Sequence, residues 1–453
     1  MTPPHTLPPV GASPAVPPPA PSPAPSRPSG PSDRDGFLDV VRAVAVVRVV
    51  VWHAFGAAAL TYLVAAMPAM FFVSGSLFAG SAGRRGAGRT IVDRLRRIGP
   101  SLWVFAAVAW AVMAVAAATT GTDLPLRNAV LWVVPVADPA GSSWEGGWLA
   151  APLWYLRTLL WVLLLSPLLL WAVRRRPALA LGLGLVLLGV AEGVHRATGS
   201  THVTWQIGDV VLFAWFFAAG VVAAGGGLDR VRRVHWAVVA GVAAIAAAAW
   251  ALTQPVPLGV VNNSHPMHLF VGVVWLALAM AAAPWLRAVA SGPAAPVVRF
   301  VGQRSLTIYL WNTAAIAVVL WVMAEVGVPP SGAGIPLYLS AIAGTVLLAS
   351  VGFGWVEDLA ARRPARLWPH HRTTGDRPAA VRWRPTPAGL AAVASVGLVV
   401  VASTAVAVVG PEPASEVAFR PPVPSQAPPV PVIGGGDDDP AEADPATGVY
   451  RDE

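Results

Sequence analysis

The sequence predicts an all-α protein that crosses a membrane many times. Of its 453 residues, 55% are hydrophobic and only 12% are charged, whereas a soluble domain carries roughly 25% charged residues. Apolar stretches long enough to cross a bilayer as one helix recur along the chain. Short clusters of arginine separate them, as in the loops of membrane proteins. Together these observations predict a polytopic helical bundle.

Ten apolar stretches between residues 35 and 356 are predicted to form a ten-helix membrane domain. The first runs from about Gly36 to Phe55. The others lie near 61–80, 99–120, 153–173, 178–194, 205–224, 235–252, 267–285, 305–326 and 335–356. A basic loop at 357–387 precedes an eleventh predicted helix at 388–410. Residues 130–136 are too few to span and predict a re-entrant or interfacial element.

Both ends of the chain are predicted to be disordered. Residues 1–34 consist mainly of Pro, Ala and Ser and contain almost nothing to bury, so they predict a Pro-rich spacer arm. Residues 411–453 form an acidic, Pro-rich tail that is too polar to build a domain.

Arginine placement predicts the orientation of the bundle. If the N-terminus lies inside, the loops on that side hold the arginine clusters at 84–97, 174–176, 230–233, 287–304 and 362–384. The loops outside contain only Arg127 and Arg196, and the tail contains Arg420 and Arg451. The positive-inside rule therefore predicts a multi-pass protein of the plasma membrane with a cytoplasmic N-terminus and an extracytoplasmic C-terminus.

Composition also narrows the chemistry. The chain has no cysteine, which excludes disulfides and thiol catalysis. Its formal net charge of +8 comes from arginines clustered between apolar spans, so we expect membrane lipid as a partner and no nucleic acid. We expect no metal site.

The first predicted helix carries charges that a membrane span would normally avoid: Asp39, Arg42, Arg48 and His53. Such groups are expensive at membrane depth and are usually retained for a function. Arg42 and His53 are eleven positions apart, which places them on one helix face about 16 Å apart along the axis, while Arg48 points elsewhere. Alternatively, His53 is a satisfied polar residue near a helix end and Arg42 snorkels to the interface.

An Arg-x10-His pattern on a first membrane helix resembles the signature of the membrane-bound acyltransferase type 3 family, whose members O-acylate glycans of bacterial envelopes. Two later segments resemble family segments in the same order: Phe-Phe-Val-Ser-Gly at 71–75, and the stretch from Gly302 to Asn312. Ser-Gly in a membrane helix also permits close approach of another backbone. The resemblance covers roughly residues 35–356.

The chain departs from that pattern in three places. Asn312 stands where the family usually has histidine, which puts proton transfer there in doubt. Leu159 occupies the position of a glutamate that follows Trp154 in many members, and Arg157 is the nearest polar residue. The extra helix at 388–410 is not followed by the hydrolase-like domain that often accompanies it.

Arg94 and Arg97 are three positions apart and therefore neighbours on one helix face. Guanidinium groups bind phosphates bidentately, and the resemblance assigns an Arg-x-x-Arg pair here to the acyl-CoA donor. A positive-inside anchor is the alternative.

Further polar and aromatic residues are candidates for binding. Trp154, Tyr309 and Asn312 are expected to contact substrate. Glu192, Gln206, Asp209 and Glu325 lie at membrane depth and are either partners of a buried charge or acceptor, or solvated groups at helix ends. The tryptophans at 132, 144 and 148 either stack on sugars or anchor the interface. His265 and His268 could bind a sugar, but we favour a loop for them.

The resemblance implies an O-acyltransferase that moves an acyl group from a cytoplasmic acyl-CoA, with acetyl-CoA as the expected donor, to a hydroxyl of an extracytoplasmic glycan or glycolipid. Histidine has an unperturbed pKa of about 6.5, so His53 can act as the general base, aided by Arg42. An acyl-histidine intermediate stays open. The alternative function is a transporter or exporter of a glycoconjugate or small molecule, which would also need charges inside the bundle.

Overall fold

The computed structural model describes residues 36–198, 201–226, 231–254 and 261–365, together with residues 1 and 228. All regular structure in these ranges is helical, which confirms the predicted all-α class. The predicted arm at 1–34, the eleventh helix at 388–410 and the tail at 411–453 lie outside the described residues, Met1 excepted, as does most of the basic loop at 357–387.

The described chain forms fifteen α-helices with short connections. They are α1 Gly36–Phe55, α2 Ala58–Leu63, α3 Ala66–Arg85, α4 Ala87–Thr120, α5 Ala129–Val133, α6 Trp144–Ala150, α7 Leu153–Arg175, α8 Pro177–Ala197, α9 His202–Ala224, α10 Arg233–Ala251, α11 His265–Ala281, α12 Ala283–Ser291, α13 Ala295–Gln303, α14 Ser305–Glu325 and α15 Ile335–Ala360. Single 3-10 turns occupy Leu126–Asn128, Val261–Asn263 and Gly332–Gly334.

Most predicted membrane spans are present. Within the described residues, eight helical segments are long and apolar enough to cross a membrane. Helices α11 and α12 together have that length and hydropathy too, but they meet at a 68° bend, as in a broken span or a re-entrant loop. Helix α1 stands outside that count because it carries Asp39, Arg42 and Arg48, but its 20 residues have the length of a span. The five-residue helix α5 is too short to cross, as expected for residues 130–136.

Helix α1 packs among other helices on most of its sides, while Val44 and Val47 face outward. It packs against α3, α12, α13 and α14, and its small and branched residues, among them Val41, Ala45 and Val46, are almost fully buried. By contrast, only 6% of the 18-residue apolar stretch of α8 and 11% of that of α10 are buried. These two helices therefore form the periphery, and α1 brings its charged residues into the protein interior.

Glycines allow α3 and α9 to pack backbone to backbone. A Cβ on Gly75 would collide with the carbonyl of Phe217, and one on Gly220 would collide with the carbonyl of Phe72. The Ser76 hydroxyl donates a 2.8 Å hydrogen bond to the Gly220 carbonyl across this crossing. The close approach expected at Ser74-Gly75 is therefore present, and α9 is the partner helix.

We predict that Gly75→Ala lowers the thermal midpoint of unfolding of the detergent-solubilised protein. Overpacking a tight contact costs about 1–3 kcal/mol. Gly80→Ala is the matched control on the same helix, because its Cβ would meet nothing closer than the Arg84 side chain at 3.8 Å. An equal midpoint for both variants would contradict the close packing of α3 against α9.

Candidate active site

His53 lies in the last turn of α1 and contacts α14 through its imidazole ring. Its Nδ1 atom is 2.7 Å from Oδ1 of Asn312. Asn312 is fully buried, whereas His53 keeps part of its surface accessible. The histidine is therefore held by Asn312 and is only partly buried.

The hydrogen bonds of Asn312 determine which nitrogen of His53 can act as a base. Asn312 Nδ2 donates to the carbonyl of Tyr309, which turns the amide oxygen toward His53. An amide oxygen only accepts hydrogen bonds, so Nδ1 of the neutral imidazole carries the hydrogen. We therefore assign the lone pair to Nε2. Asn312 positions the ring, although sequence analysis expected it to contact substrate.

A series of contacts, through side chains, backbone carbonyls and packed tyrosine rings, connects His53 with Arg94 of α4. Arg94 donates a 3.2 Å hydrogen bond from Nη2 to the Ser74 carbonyl, and the Ser74 side chain lies beside the Tyr155 hydroxyl. The rings of Tyr155 and Tyr309 lie 4.8 Å apart between centroids. We call this series the central polar line; its members are Arg94, Ser74, Tyr155, Tyr309, Asn312 and His53.

Arg42 joins the same region from α1. It lies within electrostatic reach of Arg94 and of the Tyr155 hydroxyl, and Arg97 also acts on Arg94. Three guanidinium groups therefore act on one end of the central polar line. Such a concentration of positive charge attracts anions, and phosphate oxygens are suited to bind there.

The two arginines of the Arg-x-x-Arg pair have different surroundings. Arg94 lies over the ring of Phe78, 5.7 Å from its centroid. The side chain of Arg97 is 40% exposed and its Nη2 lies 3.8 Å from Oε1 of Glu357. Glu357 is buried and accepts a 3.0 Å hydrogen bond from the Thr307 hydroxyl. Arg94 therefore faces the interior, and Arg97 lies at the rim beside a carboxylate.

The other two predicted substrate residues lie close by. Tyr309 is buried, and its hydroxyl donates a 3.0 Å hydrogen bond to the Pro152 carbonyl at the start of α7. Trp154 is partly exposed and its ring packs 5.9 Å from that of Phe213. Trp154 is therefore adjacent to the central polar line but does not belong to it.

Several candidates that the sequence could only treat separately form one buried ion network. Arg157 is fully buried and donates to Asp138 at 2.9 Å and to Asp209 at 2.5 Å. His265 lies 3.3 Å from Asp209 and 3.7 Å from Glu192. Glu192 in turn pairs with Arg196 at 2.8 Å, and Gln206 donates to Asp138 at 3.2 Å. The network ties α7, α8, α9 and α11 together.

The prediction that His265 and His268 lie in a loop is wrong. Both residues lie in the first turn of α11, which is capped by the Ser264 hydroxyl, and both are buried. Gly208 makes room for the His265 ring, because a Cβ there would overlap it. The preceding Asn-Asn-Ser suggested a turn, and the helix begins directly after it.

The sequence did not mark two residues near the site, Tyr155 and Glu357, as candidates. Tyr155 follows the selected Trp154 and resembles an ordinary core aromatic in the sequence. Glu357 lies at the end of the last predicted span, where a solvated carboxylate would be unremarkable. Leu159, at the position of the expected glutamate, is a buried core residue. The partners of Tyr155 and Glu357 are distant in sequence, so no local pattern marks either residue.

The tryptophans of the connection between α4 and α7 differ in environment. Trp132 is fully buried and donates to the Ala140 carbonyl at 3.3 Å. The rings of Trp144 and Trp148 lie 5.9 Å apart. Trp132 thus belongs to the core.

The family model described as an acyltransferase domain, Acyl_transf_3, matches residues 35–353. Comparisons with curated proteins and with solved structures give no match.

We predict that Arg157→Met destabilises the protein strongly, because it removes the guanidinium that binds both Asp138 and the buried Asp209. Removing one partner of a buried ion pair costs about 3–5 kcal/mol. Arg196→Met is the matched control: its side chain is 48% exposed, and such a pair is worth about 0–1 kcal/mol. Unfolding in detergent measures both free energies, and equal values would contradict a structural role for Arg157.

Proposed function

This chain belongs to the type 3 acyltransferase family, and we propose that it transfers an acyl group from an acyl-CoA to a hydroxyl of an extracytoplasmic glycan or glycolipid. The observation that carries the proposal is the environment of His53. Its Nδ1 is bound to Asn312, its Nε2 is left with a lone pair, and the central polar line connects it to a group of arginines.

His53 supplies the base in this reaction. Nε2 takes the proton of the acceptor hydroxyl while the oxygen attacks the carbonyl carbon of the thioester. The C–S bond then breaks, sulfur leaves with the electron pair, and the proton on Nε2 is available to the CoA thiolate. Asn312 acts as a positioning residue, since both of its amide atoms bind within the protein.

The arginines hold the donor. Arg42 and Arg94 approach each other from α1 and α4, and Arg97 lies at the rim. A pyrophosphate would offset their mutual repulsion. Arg42 and His53 share a face of α1, about 16 Å apart along the axis, so the pantetheine arm would follow this face from the arginines to His53.

The arginine clusters support a cytoplasmic start of α1 and hence donor binding from the cytoplasm. His53 lies toward the other end of the same helix. A cytoplasmic thioester could thus serve an extracytoplasmic acceptor without leaving the cell. We propose the plasma membrane as the location, with acetyl-CoA as the expected donor.

We predict that His53→Gln lowers acyl transfer by about 10²–10⁴-fold, the usual contribution of a general base. Glutamine keeps a hydrogen bond to Asn312 but takes up no proton. The measurement is transfer from acetyl-CoA by purified protein in nanodiscs, with acetyl-CoA binding measured in parallel and expected to persist. His235→Gln, at an exposed position of α10, is the matched control.

Full activity of His53→Gln would end the general-base role. A transporter would behave differently again: the purified wild-type protein would show no acyl transfer with any donor, and the substitution would change export from cells alone. Mass spectrometry of envelope glycans from cells with and without the gene separates the two functions.

We predict that Arg94→Ala weakens acetyl-CoA binding more than Arg89→Ala, an exposed arginine one turn earlier in α4. Arg94→Lys should restore binding only in part, because the bidentate geometry is lost. Arg97→Ala also leaves Glu357 without its cation, so it is combined with Glu357→Gln. Unaltered binding by Arg94→Ala with Arg97→Ala would contradict the donor site.

A further inference from the structure

Arg48 is a buried cation whose contacts with the described residues leave its charge without a counter-ion. Its side chain is 9% exposed. Nε donates a 3.3 Å hydrogen bond to the Leu60 carbonyl, and the guanidinium lies 5.7 Å from the centroid of the Trp52 ring. In the described part of the chain, no carboxylate pairs with it. An uncompensated charge at such burial is unfavourable unless a ligand completes it.

Two other buried arginines of the same bundle are paired with carboxylates. Arg157 has Asp138 and Asp209 as partners, and Arg304 has Asp358 at 2.8 Å. These pairs show how the fold compensates a guanidinium that serves structure. Arg48 is also buried, at 9% exposure against 1% for Arg157 and Arg304, but no carboxylate among the described residues compensates it, so its charge is available to a ligand.

His268 lies within electrostatic reach of Arg48. It too is buried without a full set of polar partners. Its side chain is 6% exposed and meets the ring of Phe213 edge to face, with 5.3 Å between centroids. Among the described residues, no group forms a hydrogen bond with its imidazole. A neutral imidazole can donate one hydrogen bond to an anion.

The connections between helices place Arg48 and His268 at the His53 end of α1. Arg48 is bound to α2 through Leu60. The next residue, Thr61, accepts a 3.1 Å hydrogen bond from the Val261 backbone in the turn that precedes α11. Arg48 also acts electrostatically on His53.

Arg48 lies off the face used for the donor. It is five positions before His53, so the two side chains leave α1 about 140° apart, whereas Arg42 and His53 share a face. Its Nε atom binds α2. The cation therefore lies beside the base but outside the proposed path of the thioester.

We infer that Arg48 and His268 form an anion-binding subsite that holds a carboxylate or phosphate group of the acceptor while its hydroxyl reaches His53. This inference rests on the proposed acyl transfer and specifies its acceptor as an anionic sugar. Arg48 binds the oxyanion through its free Nη groups, and His268 donates a further hydrogen bond to it.

The experiment compares three probes that differ in charge: methyl glucoside, its 6-phosphate and methyl glucuronide. The thermal midpoint of the full chain in nanodiscs is measured with each, in the absence of acyl donor. The wild-type protein should be stabilised by one or both anionic sugars and not by the neutral one. Arg48→Met and His268→Leu should lose this shift, and His53→Gln should retain it.

The ligand-free variants supply a second measurement. Removing an unpaired buried charge should leave the midpoint of Arg48→Met equal to or above that of the wild type. A structural arginine would behave like Arg157, whose replacement by Met lowers the midpoint. A lower midpoint for Arg48→Met, or equal shifts with the neutral and the anionic sugars, would overturn the subsite.

The outcomes for the subsite and for the enzyme are separable. An Arg48-dependent shift with anionic sugars, without acyl transfer by the wild-type protein, would refute the proposed function and leave the subsite in place. Acyl transfer that proceeds equally well with neutral acceptors, in the wild type and in Arg48→Met, would refute the subsite and leave the enzyme. A shift with the phosphate or with the carboxylate alone identifies the acceptor group.

Discussion

A charge inside a membrane-embedded bundle needs a partner. Four arginines of the described bundle meet this constraint in two different ways. Arg157 and Arg304 are buried and hydrogen-bonded to carboxylates, so the protein itself compensates them. Arg94 and Arg48 are compensated only by carbonyl groups and aromatic rings. The first group ties helices together, and the second group can receive the charge of a ligand.

The two arginines with incomplete compensation reach the His53 region by different routes. Arg94 is connected to the base through the central polar line, and Arg48 lies next to it on α1. A donor and an acceptor that each bring negative charge would therefore enter from different directions and meet at one imidazole. Helix α1 can carry this arrangement because its neighbours shield it from lipid on several sides.

The sequence predicted the helices well, because apolar runs and arginine clusters are local signals. It also predicted the shared face of Arg42 and His53 from helical geometry, and the close packing at Ser74-Gly75. It did not identify α9 as the helix that packs there, nor the environment of Arg48, nor the role of Glu357. These depend on contacts between residues far apart in the chain, such as Arg97 with Glu357, which no periodicity encodes.

Asn312 shows how a residue that departs from a family pattern can still suit the chemistry. Two facing histidines would titrate as a coupled pair, and neither nitrogen would have a fixed protonation state. An amide does not titrate, and here its nitrogen is bound to the Tyr309 carbonyl. Its oxygen can therefore only accept from Nδ1 of His53. The pair then contains one titratable group with its free lone pair on Nε2, which is the state a general base requires before it meets the acceptor hydroxyl.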